Sequence, residues 1–177
     1  LARAETTGRT LPSARIDLAR LVTEVVQDSV PRALEQGIDL GFEGPDTMPA
    51  ACIMDGNPTL LHEMVRNLVD NAIHYSGHGG VVTARVLADR FSGVQILQVE
   101  DDGPGIAEHE RELVMQPFYR ALGTNVDGSG LGLAIVQEIA QQHGATVTME
   151  DTHPTRAKRG LRVSVRFEPV PAPDLSP

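Results

Sequence analysis

Four polar side chains, Glu63, Asn67, Asn71 and His74, recur at spacings of four, four and three residues beside a stripe of apolar residues. If that segment is helical, a rotation of about 100° per residue puts them within roughly a quarter of its circumference. Asparagine is a poor interior helix former, so two of them one turn apart call for a reason. The Asn amide has a carbonyl oxygen suited to a hard cation such as Mg²⁺ and N–H donors suited to phosphate oxygens. A solvated helix face with two incidental asparagines would read the same way.

A second group follows an apolar run. Val94-Gln95-Ile96-Leu97-Gln98-Val99 leads into Glu100-Asp101-Asp102-Gly103-Pro104-Gly105-Ile106. A carboxylate at the end of a buried strand can accept a hydrogen bond from an exocyclic amine such as adenine N6. Glycines beyond it let backbone approach a flat ring. An ordinary Asp-Gly-Pro turn has the same residues. The third group is Gly128-Ser129-Gly130-Leu131-Gly132-Leu133, which opens an apolar segment of helical period. Backbone N–H groups at a helix start attract phosphate, and glycine admits the anion closely. Glycines before a helix are also common.

Several other chemistries are excluded. Lys158 is the only lysine and lies after every candidate motif. That removes a P-loop, which needs lysine before its helix, and a eukaryote-type protein kinase, which needs a strand lysine. A Rossmann site would place its glycines just after the first strand, with a different spacing. Charge on a bound phosphate must then fall to Mg²⁺, backbone amides and an arginine, and Arg120 in Pro117-Phe118-Tyr119-Arg120 is the best placed. His62-Glu63 lacks a following Ser/Thr-Pro, and Arg66 breaks a His-Glu-x-x-His zinc motif. His62 is therefore read as a helix-surface residue, and His74 and His78 are too isolated to hold a metal.

The elements that must position these groups can be read from periodicity. Apolar Leu18, Leu21, Val22, Val25, Val26 and Val30 predict a helix over 17–36, capped by Asp17, with a kink or break possible at Pro31. Leu60, Leu61, Met64, Val65, Leu68, Val69, Ala72 and Ile73 predict a helix over 58–75, capped by Asn57 with Pro58 in its first turn. A third helix is expected over 131–142, stopping at His143-Gly144. Strands are expected near 38–42, 51–54, 80–88, 94–100, 145–150 and 161–168, with a hairpin connection at 89–93 and a helical piece near 107–115. The order predicts an α+β two-layer sandwich, helices on one face of a mostly antiparallel sheet. Residues 1–16 read as a linker, 17–168 as one domain, and the proline-rich 169–177 as a disordered tail.

Composition bounds the partners. The chain has 177 residues, a net charge of −9 and 3% aromatics without tryptophan. It therefore has no bulk electrostatic attraction for nucleic acid or anionic membrane, and little with which to stack bases. One cysteine, Cys52, permits no internal disulfide. No apolar run approaches the roughly 20 residues that span a bilayer. The chain begins at Leu1 rather than Met, so it is read as a piece of a longer protein, with any membrane anchor upstream.

The three groups in this order resemble the GHKL superfamily, specifically its histidine-kinase branch. Asn67 with Leu68-Val69-Asp70-Asn71-Ala72 looks like the N box, and Asp101-Asp102-Gly103-Pro104-Gly105 like the first glycine box. Pro117-Phe118-Tyr119-Arg120 looks like the F box, and 128–133 like the second glycine box. The match covers about 55–168. It implies the Bergerat ATP-binding fold with a mobile ATP lid between the glycine boxes. It implies ATP and Mg²⁺, with Asn67 and Asn71 on the metal and triphosphate and Glu63, His74 and Tyr75 lining the site. It further implies Asp101 on adenine N6, with Gly103, Gly105 and Ile106 shaping the base pocket. Backbone of Gly128, Ser129, Gly130, Leu131, Gly132 and Leu133 would face the phosphates, and Arg120 would act with Asn67 and Asn71 in catalysis. The implied activity is transfer of the ATP γ-phosphoryl to a histidine on a separate dimerisation domain, to which 1–16 would be the exit. A response regulator and a homodimeric full-length protein are the implied partners, with this piece alone monomeric. The implied place is the cytoplasmic side of an inner-membrane sensor.

One departure is His74, where relatives often carry lysine or arginine, and it predicts weaker or pH-sensitive nucleotide binding. Two other readings have discriminating features. An ATP-hydrolysing clamp of the gyrase or chaperone kind would place a glutamate base where Asn67 stands, and an amide cannot take a proton from water. A degenerate nucleotide-binding interaction module would show no ATP binding.

Overall fold

The computed structural model describes residues 12–45, 52–117 and 132–169. The chain opens with β1 (Ala14–Asp17), α1 (Leu18–Glu35), β2 (Asp39–Glu43), β3 (Ile53–Gly56) and α2 (Pro58–Ser76). β4 (Val81–Ala88) and β5 (Gln95–Asp101) follow, then two short 3-10 turns, Glu108–Glu110 and Leu113–Met115. α3 (Gly132–Gln142), β6 (Thr146–Glu150) and β7 (Leu161–Phe167) complete it.

Five strands form one sheet in the order β2-β4-β5-β7-β6. β2 runs parallel to β4, and every other pairing in that sheet is antiparallel. Alternation sets its two faces. Val82, Ala84 and Val86 of β4, Leu97 and Val99 of β5, and Leu161, Val163, Val165 and Phe167 of β7 turn inward onto the helices. The opposite face carries charge: Arg85 pairs with Glu43 (2.7 Å) and Glu100 (3.2 Å), and Arg162 with Glu100 (2.9 Å) and Glu150 (3.4 Å). Signs thus alternate from β2 through β4, β5 and β7 to β6. Burial pushes the Glu100 carboxyl up, but hydrogen bonds from the two arginines outweigh it and hold it below the ordinary carboxylate range.

The helices begin where their caps predict. Asp17 accepts from the Arg20 N–H at 3.1 Å and Asn57 from the Leu60 N–H at 3.0 Å. α2 is the central helix; Leu61, Met64, Val65, Leu68, Val69, Ala72 and Ile73 are all buried along it. Arg32 of α1 reaches Asp70 of α2 at 2.8 Å.

Three expectations change. α1 runs through Pro31 unbroken, because Ala33 beyond it is buried in the core and outweighs one missing backbone bond. The helical piece expected near 107–115 is two 3-10 turns rather than a helix. Residues 14–16, read as linker, lie in β1, which pairs antiparallel with β3 in a second, two-stranded sheet. That pairing joins positions about forty residues apart, which local pattern does not signal. Residues 170–177 of the expected tail lie outside the described residues.

Candidate functional site

α2 presents Glu63, Asn67, Asn71 and His74 along one flank, each half-buried rather than solvated. The Asn67 side chain is oriented by its own helix: Nδ2 donates to the Glu63 carbonyl at 2.8 Å. A Cβ built on Gly132, the first residue of α3, would stand 3.6 Å from the Asn67 Oδ1. The first and third residue groups therefore meet at the start of α3. Leu133 turns into the core.

Asp101 ends β5 and is 5% exposed. Its Oδ1 accepts from the Gly103 N–H at 2.9 Å. Burial pushes its carboxyl up to about 6; the Gly103 and Leu161 backbone N–H groups oppose that shift, while Asp102 and Glu100 add to it. Gly103 is required by space, since a Cβ there would run into the Tyr75 carbonyl at the end of α2. Gly105 is required by both conformation and space. Its φ is +78°, and a Cβ would come within 2.7 Å of the Gly160 carbonyl. Ile106 is buried in the core beside them. The His74 and Tyr75 rings meet edge to face, 5.5 Å between centroids.

Asp102 carries a role that its place in the motif did not reveal. Its Oδ1 accepts from the Ser76 hydroxyl at 2.8 Å and from the Val81 N–H at 2.9 Å, tying the end of α2 to the start of β4. Gly80 leaves room for this clamp: a Cβ there would collide with the Ser76 hydroxyl and stand 2.8 Å from Asp102. Ser76 and Gly160 carry no sequence signal, because each acts on residues distant in the chain. Arg120, Gly128, Ser129, Gly130 and Leu131 lie outside the described residues, as do Phe118 and Tyr119.

The donor set suits a nucleotide and a hard cation. Asn67 offers an oriented amide oxygen beside the N-terminus of a helix, and Asp101 is a buried acceptor flanked by glycines. Among the described residues no three His, Cys, Asp or Glu side chains converge on a metal site. A cation here would therefore depend on asparagine oxygens and on the oxygens of its own ligand.

Comparison with known proteins agrees with this geometry. The family of histidine kinase-, DNA gyrase B- and HSP90-like ATPases matches residues 56–171. Sensor protein QseC of Salmonella typhi is 36% identical over 167 residues, which covers 94% of this chain and 34% of that protein. The chain thus spans about a third of that curated relative. The solved mycobacterial sensor histidine kinase MprB superimposes with a TM-score of 0.77 at 26% identity, covering 89% of this chain and 97% of that one. Full-length ShkA, solved in complex with AMPPNP, gives a TM-score of 0.74 at 25% identity over 92% of this chain and 33% of that one.

Proposed function

The chain belongs to the family of histidine kinase-, DNA gyrase B- and HSP90-like ATPases, in its sensor histidine-kinase branch, and from that premise we propose how its residues serve the reaction. Asp101 accepts a hydrogen bond from the adenine N6 amine, and Gly103, Gly105 and Ile106 shape the base pocket. Asn67 and Asn71 hold Mg²⁺ and the triphosphate, with Glu63, His74 and Tyr75 beside them. Backbone N–H groups from Gly128 through Leu133 receive phosphate oxygens, and Arg120 adds the positive charge that the site otherwise lacks. Bound Mg·ATP supplies the transferable γ-phosphoryl group.

The chain's own contribution is positioning and charge balance. No nucleophile of its own is required. The phosphoryl acceptor is a histidine on a dimerisation domain elsewhere in the full-length protein, whose cognate response regulator then takes the group. The full-length protein is a homodimeric membrane sensor with this domain on the cytoplasmic side. No helix among the described residues is long and apolar enough to cross a membrane.

The observation that carries this reading is the meeting of the Asn67 oxygen with Gly132 at the start of α3, 3.6 Å from a built Cβ. It supports the reading because an amide oxygen suited to a hard cation then lies beside the start of a helix, where phosphate is favoured. That Asn67 is an amide, not a carboxylate, disfavours a water-activating ATPase clamp. Calorimetry should show Mg²⁺-dependent ATP binding. With radioactive ATP, this chain should not label itself and should label a supplied acceptor domain poorly or not at all. Strong self-labelling would overturn the assignment of the acceptor to another domain, and absence of ATP binding would favour a degenerate interaction module.

A further inference from the structure

The connection between β6 and β7, residues 151–160, lies behind the loop that follows Asp101 and grips it at both ends. At the near end, the Gly160 N–H donates to the Gly103 carbonyl at 2.9 Å. The neighbouring Leu161 pairs with Asp101 in the β5–β7 ladder. A side chain at Gly160 would collide with the Asp101 carbonyl, so the two backbones are in direct contact.

At the far end the link is a single side chain. Arg111 donates from Nε to the Ile106 carbonyl at 3.1 Å, from Nη1 to the Met149 carbonyl at 3.3 Å and from Nη2 to Asp151 at 2.7 Å. The second oxygen of Asp151 receives Arg159 at 3.4 Å. The connection is itself braced, with the His153 N–H donating to the Arg159 carbonyl at 2.7 Å. Between the two grips the loop touches the connection at Gly105, where a Cβ would come within 2.7 Å of the Gly160 carbonyl. Pro104 and Ala107 border a cleft of about 340 Å³ whose far wall includes Asp151 and Arg159. The Arg111 hydrogen bonds and its ion pair with Asp151 thus add to the packing of Gly105 against Gly160 and of Ile106 in the core in setting where that stretch lies.

We propose that Arg111 is a positioning residue for recognition of the nucleotide base. By joining the Ile106 carbonyl to Asp151 and Met149, it holds the 101–106 loop against the β6–β7 connection and keeps Asp101 aligned on the purine. The inference rests on the assignment of Asp101 to the base. Arginine is needed because its planar fork serves three separate acceptors at once, whereas a lysine ammonium on a flexible stem would satisfy fewer. Arg111 lies in no glycine box and need not touch the nucleotide. Its effect falls on the base, because a small displacement of a hydrogen-bond acceptor costs binding to the partner it was built for and little to one it does not fit.

The test is to titrate ATP and GTP, each with Mg²⁺, into the parent chain, Arg111→Met and Arg111→Lys, with a urea melt of each. The parent should prefer ATP. Arg111→Met keeps the stem and removes the donors, and should bind ATP about tenfold less tightly while GTP affinity changes less than about threefold. Arg111→Lys should fall between them. If Arg111→Met does not fold, Asp151→Asn loosens one end only and should reduce the ATP preference by about threefold. ATP affinity within twofold of the parent, or equal proportional loss of ATP and GTP, would overturn the positioning role while leaving the nucleotide site intact. A parent that binds ATP without preferring it to GTP would overturn the base assignment and this inference with it.

Discussion

At neutral pH the Asp101 carboxylate is ionised against its own burial. Its folded value of about 6 lies above the ordinary 3.8, so the folded state binds the proton more tightly than the unfolded chain. The associated stability is fully present below the unfolded value and is lost as pH rises through about 6. At pH 7.5 the ionised group costs the fold on the order of 3 kcal/mol, from about 1.4 kcal/mol per pKa unit. Asp101→Asn, whose amide oxygen can still accept from Gly103, should therefore raise stability at pH 7.5 by up to about that amount, as measured by urea unfolding. The gain should vanish near pH 4. The same variant should lose ATP affinity at every pH, whereas the parent should lose it only as pH falls through about 6. His74→Ala should keep the acid-side loss, because that loss belongs to the Asp101 carboxyl. The place of Asp101 at the end of a buried strand, before glycines, was legible in the sequence. Its raised pKa was not, because desolvation depends on what β7 and the loop pack around it.

Helices α2 and α3 pack against each other in the core, and one ring also joins the end of α3 to the cap of α2. His143, at the end of α3, has Nδ1 2.8 Å from the Ile139 carbonyl, so Nδ1 must carry the hydrogen. Nε2 then accepts from the Asn57 N–H at 3.0 Å, at the cap of α2. Asn57 also donates from Nδ2 to the Pro12 carbonyl at 2.9 Å, so the incoming chain meets both helices at one point. His143→Ala should leave the Asn57 N–H without its partner and cost about 1–3 kcal/mol in a urea melt. The signal His143-Gly144 was readable as a helix stop, and Gly144 does adopt φ +63°. The tie to Asn57 was not readable, since the partners lie 86 residues apart. Caps are local chemistry and can be read from neighbours, but cross-links between helices are decided by packing.

Over the whole molecule, the two-layer sandwich brings groups that are separate in sequence to α2, Gly132 beside Asn67 at its middle and Gly103 beside Tyr75 near its end. ATP that binds the folded chain and not the unfolded one should stabilise it by about 2.7 kcal/mol at a hundredfold excess over Kd. Thermal unfolding with and without Mg·ATP would check this, and no rise in midpoint would count against a preformed site. The amino-acid order alone determined the three α-helices, the strands of the main sheet and the motifs, because periodicity, caps and turns are set by neighbours within a few residues. It also determined the chemistry that could be ruled out, since a chain with one lysine cannot build a lysine-dependent phosphate site. Only the tertiary structure decided that 14–17 is a strand, that Asp102 clamps Ser76 to Val81, and that the β6–β7 connection braces the loop after Asp101. Each of these joins residues far apart in the chain. Their pairing follows from which surfaces the core leaves adjacent, and that is a property of the packed fold rather than of any one segment.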